Sequence, residues 1–246
     1  MAYDGVPMSA HRLLVISRRF RGPPTSGNGG YTCGMIAAAS AKPVEVRLNV
    51  PPPLDTRLEI VDDAATGGLK LLHGAEVVAT ATPKEFELDV PKPPTYAQAL
   101  AAVSDYEGFQ EHAYSDCFVC GPARQRGDGM RIFASPIDGM ELVAAAWMPD
   151  RSLIGPDGKV LPEFMWAALD CPGFFATGVA VRGPLLGTYA ARIDRCVHLD
   201  TPCVVIGWPI RSEGRKHVVG TAIFDGFGEL CGRAIATWIE PRQALN

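Results

Sequence analysis

The sequence has little excess of either charge sign. Its 246 residues carry 23 Lys and Arg against 27 Asp and Glu, a formal net charge of −4. So small an imbalance gives no electrostatic basis for holding nucleic acid or an anionic membrane surface. It lacks an uninterrupted apolar run of roughly 18–20 residues, the length a membrane-spanning helix needs. Its opening, MAYDGVPMSAHRLL, has no basic start followed by an apolar stretch, so secretion is not expected and the protein is read as cytoplasmic. Histidine is scarce, and the five (His11, His73, His112, His198 and His217) form no HxxxH pattern. Neither a GxSxG elbow nor a Walker loop is present, which removes two common nucleophile and phosphate devices. Gly226–Gly232 (GFGELCG) is one residue off the dinucleotide fingerprint, and it lies between predicted strands and opens no helix.

What is present is the composition of a globular chain, with 47% hydrophobic and 20% charged residues. The stretch that organises it is LPEFMWAALDCPGFFAT, residues 161–177. Phe164, Met165, Ala168, Leu169, Phe175 and Ala176 make this predicted helix apolar almost all round, which places it inside a domain. It carries one carboxylate, Asp170. A buried Asp is costly unless paired, hydrogen-bonded or at work. Pro162 and Glu163 suit a helix start. Pro172 cannot donate to the carbonyl of Ala168 and predicts a kink just past Asp170.

Earlier, HRLLVISRRF predicts a short strand and NGGYTCGMIAAAS a small-residue helix over 28–40, with Thr25, Ser26 or Asn28 as its cap. Val44–Val50 alternates apolar and polar residues and predicts a half-buried strand. Further strands are predicted at 57–63, 69–73 and 76–88. Residues 91–116 read as a connector with a short helix at Tyr96–Val103. Strands are expected at 130–135 and 140–148, then, after the long helix, at 188–198, 202–211, 216–225 and 229–240. Both halves thus follow one plan: strand, buried helix, antiparallel run. Local identity supports a repeat: Leu54-Asp55-Thr56 corresponds to Leu199-Asp200-Thr201, and Gly74-Ala75-Glu76 to Gly228-Glu229. The expected class is α+β in two layers.

Seven cysteines in a chain with no expected leader are read as reduced thiols. Cys117-Phe118-Val119-Cys120-Gly121 has the spacing of half a zinc site. No second pair follows, because Cys171, Cys196, Cys203 and Cys231 stand singly, so no metal is expected and the thiols are read as turn packing. Glu163 is read as a first-turn helix residue and Cys171 as core.

Three stretches carry a family resemblance: CFVCGPARQRGDGMRIF (117–133), PEFMWAALDCPGFFA (162–176) and GELCGRAIATWIEP (228–241). Together with the Asn28-Gly29-Gly30 helix they resemble the hotdog-fold, acyl-CoA thioesterase-like superfamily in a tandem, double-hotdog form. The resemblance implies two repeats, each a long antiparallel sheet wrapped round a central helix: a first unit at 1–104, a linker at 105–116 and a second unit at 117–246.

In hotdog thioesterases of this kind, the resemblance implies, backbone N–H groups at a His-Gly-Gly helix start polarise a thioester carbonyl. A carboxylate nine residues after the His, in the other unit, attacks or activates water. Here half one has Asn28-Gly29-Gly30, but Ala37 nine residues on. Half two has Leu161-Pro162-Glu163, but Asp170 nine residues on. The implied site is therefore one composite of Gly29, Gly30 and Asp170, with Asn28, Met165, Trp166, Phe174 and Thr177 against the substrate. The competing reading of the same residues is a tight turn and a structural carboxylate. The Asp–Thr–Gln set of long-chain double-hotdog enzymes is not matched, since Arg192 and Ala236 stand at the corresponding places. The implied activity is thioester hydrolysis, with coenzyme A as part of the substrate and no separate cofactor. Arg182, Arg192, Arg195, Arg211 and Arg215 are candidates for its phosphates. A non-catalytic acyl-CoA binder and a hydratase or dehydratase stay open, as do a monomer and a homodimer of double-hotdog subunits.

Overall fold

The computed structural model describes residues 12–242. Eleven strands form one sheet: β1 (Arg12–Val15), β2 (Val44–Leu48), β3 (Arg57–Asp63), β4 (Gly68–His73), β5 (Glu76–Pro83), β6 (Ser135–Pro136), β7 (Val143–Trp147), β8 (Leu185–Ile193), β9 (Cys203–Glu213), β10 (Lys216–Phe224) and β11 (Leu230–Ile239). Among the described residues four α-helices accompany them, besides short 3-10 turns: α1 (Gly29–Ala37), α2 (Tyr96–Ala101), α3 (Pro162–Ala168) and α4 (Cys171–Ala176). The sheet is antiparallel throughout and runs β1-β3-β4-β5-β2-β8-β11-β10-β9-β7-β6. The five strands on one side, β1-β3-β4-β5-β2, take the same path as β7-β9-β10-β11-β8 on the other. The seam is β2 on β8, where Val46 lies opposite Tyr189.

The alternation read at 44–50 does what period two requires. Val44 and Val46 are buried while Arg47 is exposed. By contrast Cys203–Trp208 is buried without a break. Strand β9 is covered on both faces, by α4 on one side and, on the other, by a cluster that includes Ala99 of α2. The turn residues Asp55 and Asp200 both hold left-handed backbone, with φ of 53° and 56°, just before β3 and β9. Gly74 and Gly228 hold φ of 59° and 79° in the hairpins that lead into β5 and β11. The short identities in the sequence thus fall at matching points of the strand path.

Two expectations need correction. Residues 130–134 form no strand: Arg131 takes φ of 56°, and the amides of Met130 and Ile132 donate to the carbonyls of Phe118 and Val119. The 161–177 helix is two helices. It breaks at Leu169–Asp170, and Pro172 falls in the first turn of α4, where a missing N–H costs nothing.

Helix α1 packs against α3 with almost no side chain between them. A Cβ added at Gly30 would meet the Asp170 Cβ at 2.5 Å and the Trp166 carbonyl oxygen at 2.8 Å. One turn on, a Cβ at Gly34 would meet the Trp166 Cβ at 2.8 Å and the Glu163 Cα at 2.9 Å. The two helices therefore run antiparallel in backbone contact. Gly34→Ala is expected to cost about 1–3 kcal/mol through overpacking, measured as a lower urea midpoint with an unchanged slope. A neutral result would mean that the helices separate easily.

Candidate active site

Asn28 caps α1: its Oδ1 accepts the Tyr31 N–H at 2.9 Å. Its Nδ2 donates 2.8 Å to Oδ2 of Asp170. The same oxygen accepts the Gly30 N–H at 3.0 Å. Asp170 thus sits against the N-terminus of the other half's helix, where free amides and the helix dipole favour a negative charge. It is 2% exposed, and its Oδ1 is buried without a partner among the described residues. Burial pushes its pKa up to about 7, against the lowering effect of the Gly30 and Asn28 donors, while the nearby Cys117 raises it further.

These residues border a cavity of about 290 Å³. Asn28, Gly29 and Asp170 form its polar end, and Leu48, Tyr114, Phe174, Leu186 and Trp238 supply apolar wall. Phe174 is held in place by an edge contact with Trp238, ring centroids 5.5 Å apart.

The structure brings Gly29, Gly30, Asn28, Asp170 and Phe174 together, although Asn28 and Asp170 lie 142 residues apart in the chain. It divides the roles of the two glycines. The Gly30 N–H is taken by the carboxylate, while Gly29 lines the cavity and its N–H has no protein partner among the described residues. Three expected lining residues do not reach this cavity. Met165 is fully buried in the core. Trp166 packs edge-on against Tyr189 and lines a separate cavity with Ala37 and Pro162. The hydroxyl of Thr177 donates 2.6 Å to the Phe174 carbonyl and closes α4. The helix breaks at Leu169–Asp170, so the continuous face expected over 161–177 does not form.

Sequence reasoning left three lining residues apart from the site. Cys117, Cys120 and Cys171 converge at the cavity's polar end, their sulfurs within 4.8 Å of one another. The Cys117 and Cys171 sulfurs are 3.7 Å apart, and either can donate; the Cys120 and Cys171 side chains push the Cys117 thiol down against its burial, while burial pushes their own thiols up. The backbone amides of Cys120 and Val119 also push the Cys117 thiol down. The Cys-x-x-Cys spacing and the neighbour of Asp170 were visible signals; that Cys171 reaches the pair across the fold was not.

Of the candidate arginines, Arg182 pairs with Glu240, Arg192 with Asp194 and Arg195 with Asp225. Arg215 lies at the cavity, and Arg211 joins Arg47 and Lys216 in an adjoining groove that shares Leu48, Asn49, Gly187 and Ile239 with it. Asn28→Ala removes a cap and one of the two donors to a buried carboxylate. It is expected to cost about 1–2 kcal/mol, read by urea denaturation; no loss would make the cap incidental.

No protein-family model matches the chain, and no curated protein sequence matches it. Solved structures do. The TesB protein of Mycobacterium avium subsp. paratuberculosis superposes with a TM-score of 0.61 at 13% identity, over 94% of this chain and 93% of its own. A protein named as a thioesterase from Novosphingobium aromaticivorans gives 0.60 at 11% identity, over 96% and 100%. One named as a thioesterase II from Thermobifida fusca gives 0.60 at 13% identity, over 96% and 99%. In fold, this chain is similar over nearly its whole length to all three.

Proposed function

We propose that this protein is a double-hotdog thioesterase that hydrolyses acyl-CoA or a related thioester at one composite site between its halves. The first unit is assigned to 1–104, the linker to 105–116 and the second unit to 117–246. The matched strand paths and the paired left-handed turns at Asp55 and Asp200 support the repeat.

One observation carries the chemistry. Oδ2 of Asp170 is anchored by Asn28 and Gly30, while Oδ1, on the same buried carboxylate beside the cavity, has no partner among the described residues. An anchored carboxylate with one spare oxygen is positioned to attack a carbonyl carbon or to take a proton from water. Gly29 N–H is the donor for the carbonyl oxygen, at a helix start where negative charge is stabilised. Attack breaks the C–S bond and releases the thiol; a water molecule supplies the hydroxyl of the acid product. The apolar wall from Phe174 to Trp238 takes the acyl chain. Arg47, Arg211 and Lys216 form no ion pair among the described residues and suit the phosphates of an anionic carrier.

The engaged Gly30 amide favours a second reading, a site that binds a thioester without cleaving it. Thiol release from a panel of acyl-CoAs, run beside a thermal-shift screen, separates the two. Release supports hydrolysis. A shift without release supports binding alone. Neither would remove both readings.

A further inference from the structure

From the thiol cluster at the polar end of the cavity we infer a metal site: Cys117, Cys120 and Cys171 hold one thiophilic divalent cation of the zinc class, with its fourth position facing the cavity. The inference stands independently of the thioesterase reading. It begins with spacing. The Sγ atoms of Cys117 and Cys171 are 3.7 Å apart, and all three sulfurs lie within 4.8 Å of one another. Zinc binds thiolates at about 2.3 Å, so a tetrahedral site separates its sulfurs by about 3.8 Å. The cluster is therefore near its metal-bound size, and a small closure completes it.

The backbone is shaped for the same purpose. The turn closes with the Gly121 N–H on the Cys117 carbonyl at 2.9 Å. Position 121 has no room for a side chain: a Cβ would meet the carbonyl oxygens of Cys117 and Ser115 at 2.5 Å. Cys171, the first residue of α4, brings the third sulfur from the far side. Ordinary core thiols pack as small apolar groups and have no reason to converge. These three turn toward one another.

Three protein ligands and one open position is the arrangement of zinc sites that act on a bound molecule rather than merely staple a fold. The surroundings agree. Asn28 Nδ2 lies 4.0 Å from the sulfurs of both Cys117 and Cys171, and it bonds Oδ2 of Asp170. The unpartnered Oδ1 of Asp170, on the residue before Cys171, is a second buried polar group at this end of the cavity. Binding forms three metal–sulfur bonds, and each thiol releases its proton to solvent.

The test uses the untagged full chain, expressed in zinc-supplemented medium and purified under reducing, chelator-free conditions. Elemental analysis is expected to find one zinc per chain. After chelation, cobalt(II) titrated into the protein should give sulfur-to-cobalt charge-transfer bands and the strong visible bands of a tetrahedral ion. Cys120→Ser and Cys171→Ser should each abolish stoichiometric binding, while Cys203→Ser, outside the cluster, should keep it. Folded wild-type protein that holds only traces of zinc and gives no charge-transfer band with cobalt would overturn the proposal, whatever the variants do. So would zinc retained at one equivalent in both cluster variants. Thiol release by protein that holds only traces of zinc and gives no cobalt charge-transfer band would overturn this site alone and leave hydrolysis standing.

Discussion

Asp170→Asn is expected to lower thioester hydrolysis by about 10²–10⁴-fold, the range for losing a positioned acid–base or nucleophilic group. The change is nearly isosteric. An Asn side-chain oxygen can accept from Asn28 and Gly30 as Oδ2 of Asp170 does, at 2.8 and 3.0 Å. What disappears is the spare oxygen and the charge. The melting temperature should therefore stay close to wild type, and a substrate analogue should still shift it. Turnover is read by thiol release and binding by thermal shift, so the two effects separate. Activity close to wild type in a folded variant would show that the carboxylate only ties the halves together.

Phe118→Ala is expected to destabilise the protein by about 3–5 kcal/mol, the cost of deleting a large buried aromatic ring. Phe118 is 0% exposed. Its ring lies 5.0 Å from Phe20, 5.9 Å from Phe164 and 6.4 Å from Tyr31, centroid to centroid. Those three rings come from the segment before α1, from α3 and from α1, so one cavity would loosen both central helices. The backbone of Phe118 is tied as well, to the Arg21 carbonyl and to the Met130 amide, both at 2.8 Å. The site therefore has little freedom to collapse around the hole. Urea denaturation measures the loss. A cost below about 1 kcal/mol would mean that the four-ring cluster repacks freely.

Much of the architecture was legible because period two is a strong signal. Strand β3 occupies the predicted 57–63, and β10 and β11 begin within one residue of expectation. The central helices were legible from Asn28 as a cap and from the apolar run after Pro162. Other features depend on partners that no local pattern names. Residues 130–134 carry strand-forming side chains, yet their amides go to the Phe118 and Val119 carbonyls, so no ladder forms. Pro172 announced a kink, but the complete break reflects what lies beneath α4. Gly207 of β9 has no side chain, and a Cβ there would meet the Pro172 carbonyl oxygen at 2.4 Å. Within the site, Asn28, Gly30 and Asp170 were each visible. Which amide the carboxylate would occupy was not, because it depends on the closeness of α1 and α3. Cys171 could be seen beside Asp170 but not beside Cys117, since only the folded path joins them.

The sheet ends at β6, two residues long, with Pro136 facing Val143 of β7. A proline nitrogen has no hydrogen to offer, and a two-residue rim gives a stranger's backbone almost nothing to zip onto. Growth into fibrils or ribbons by lateral docking at this margin is thereby blunted, and crowded molecules that meet there should slide past rather than lock.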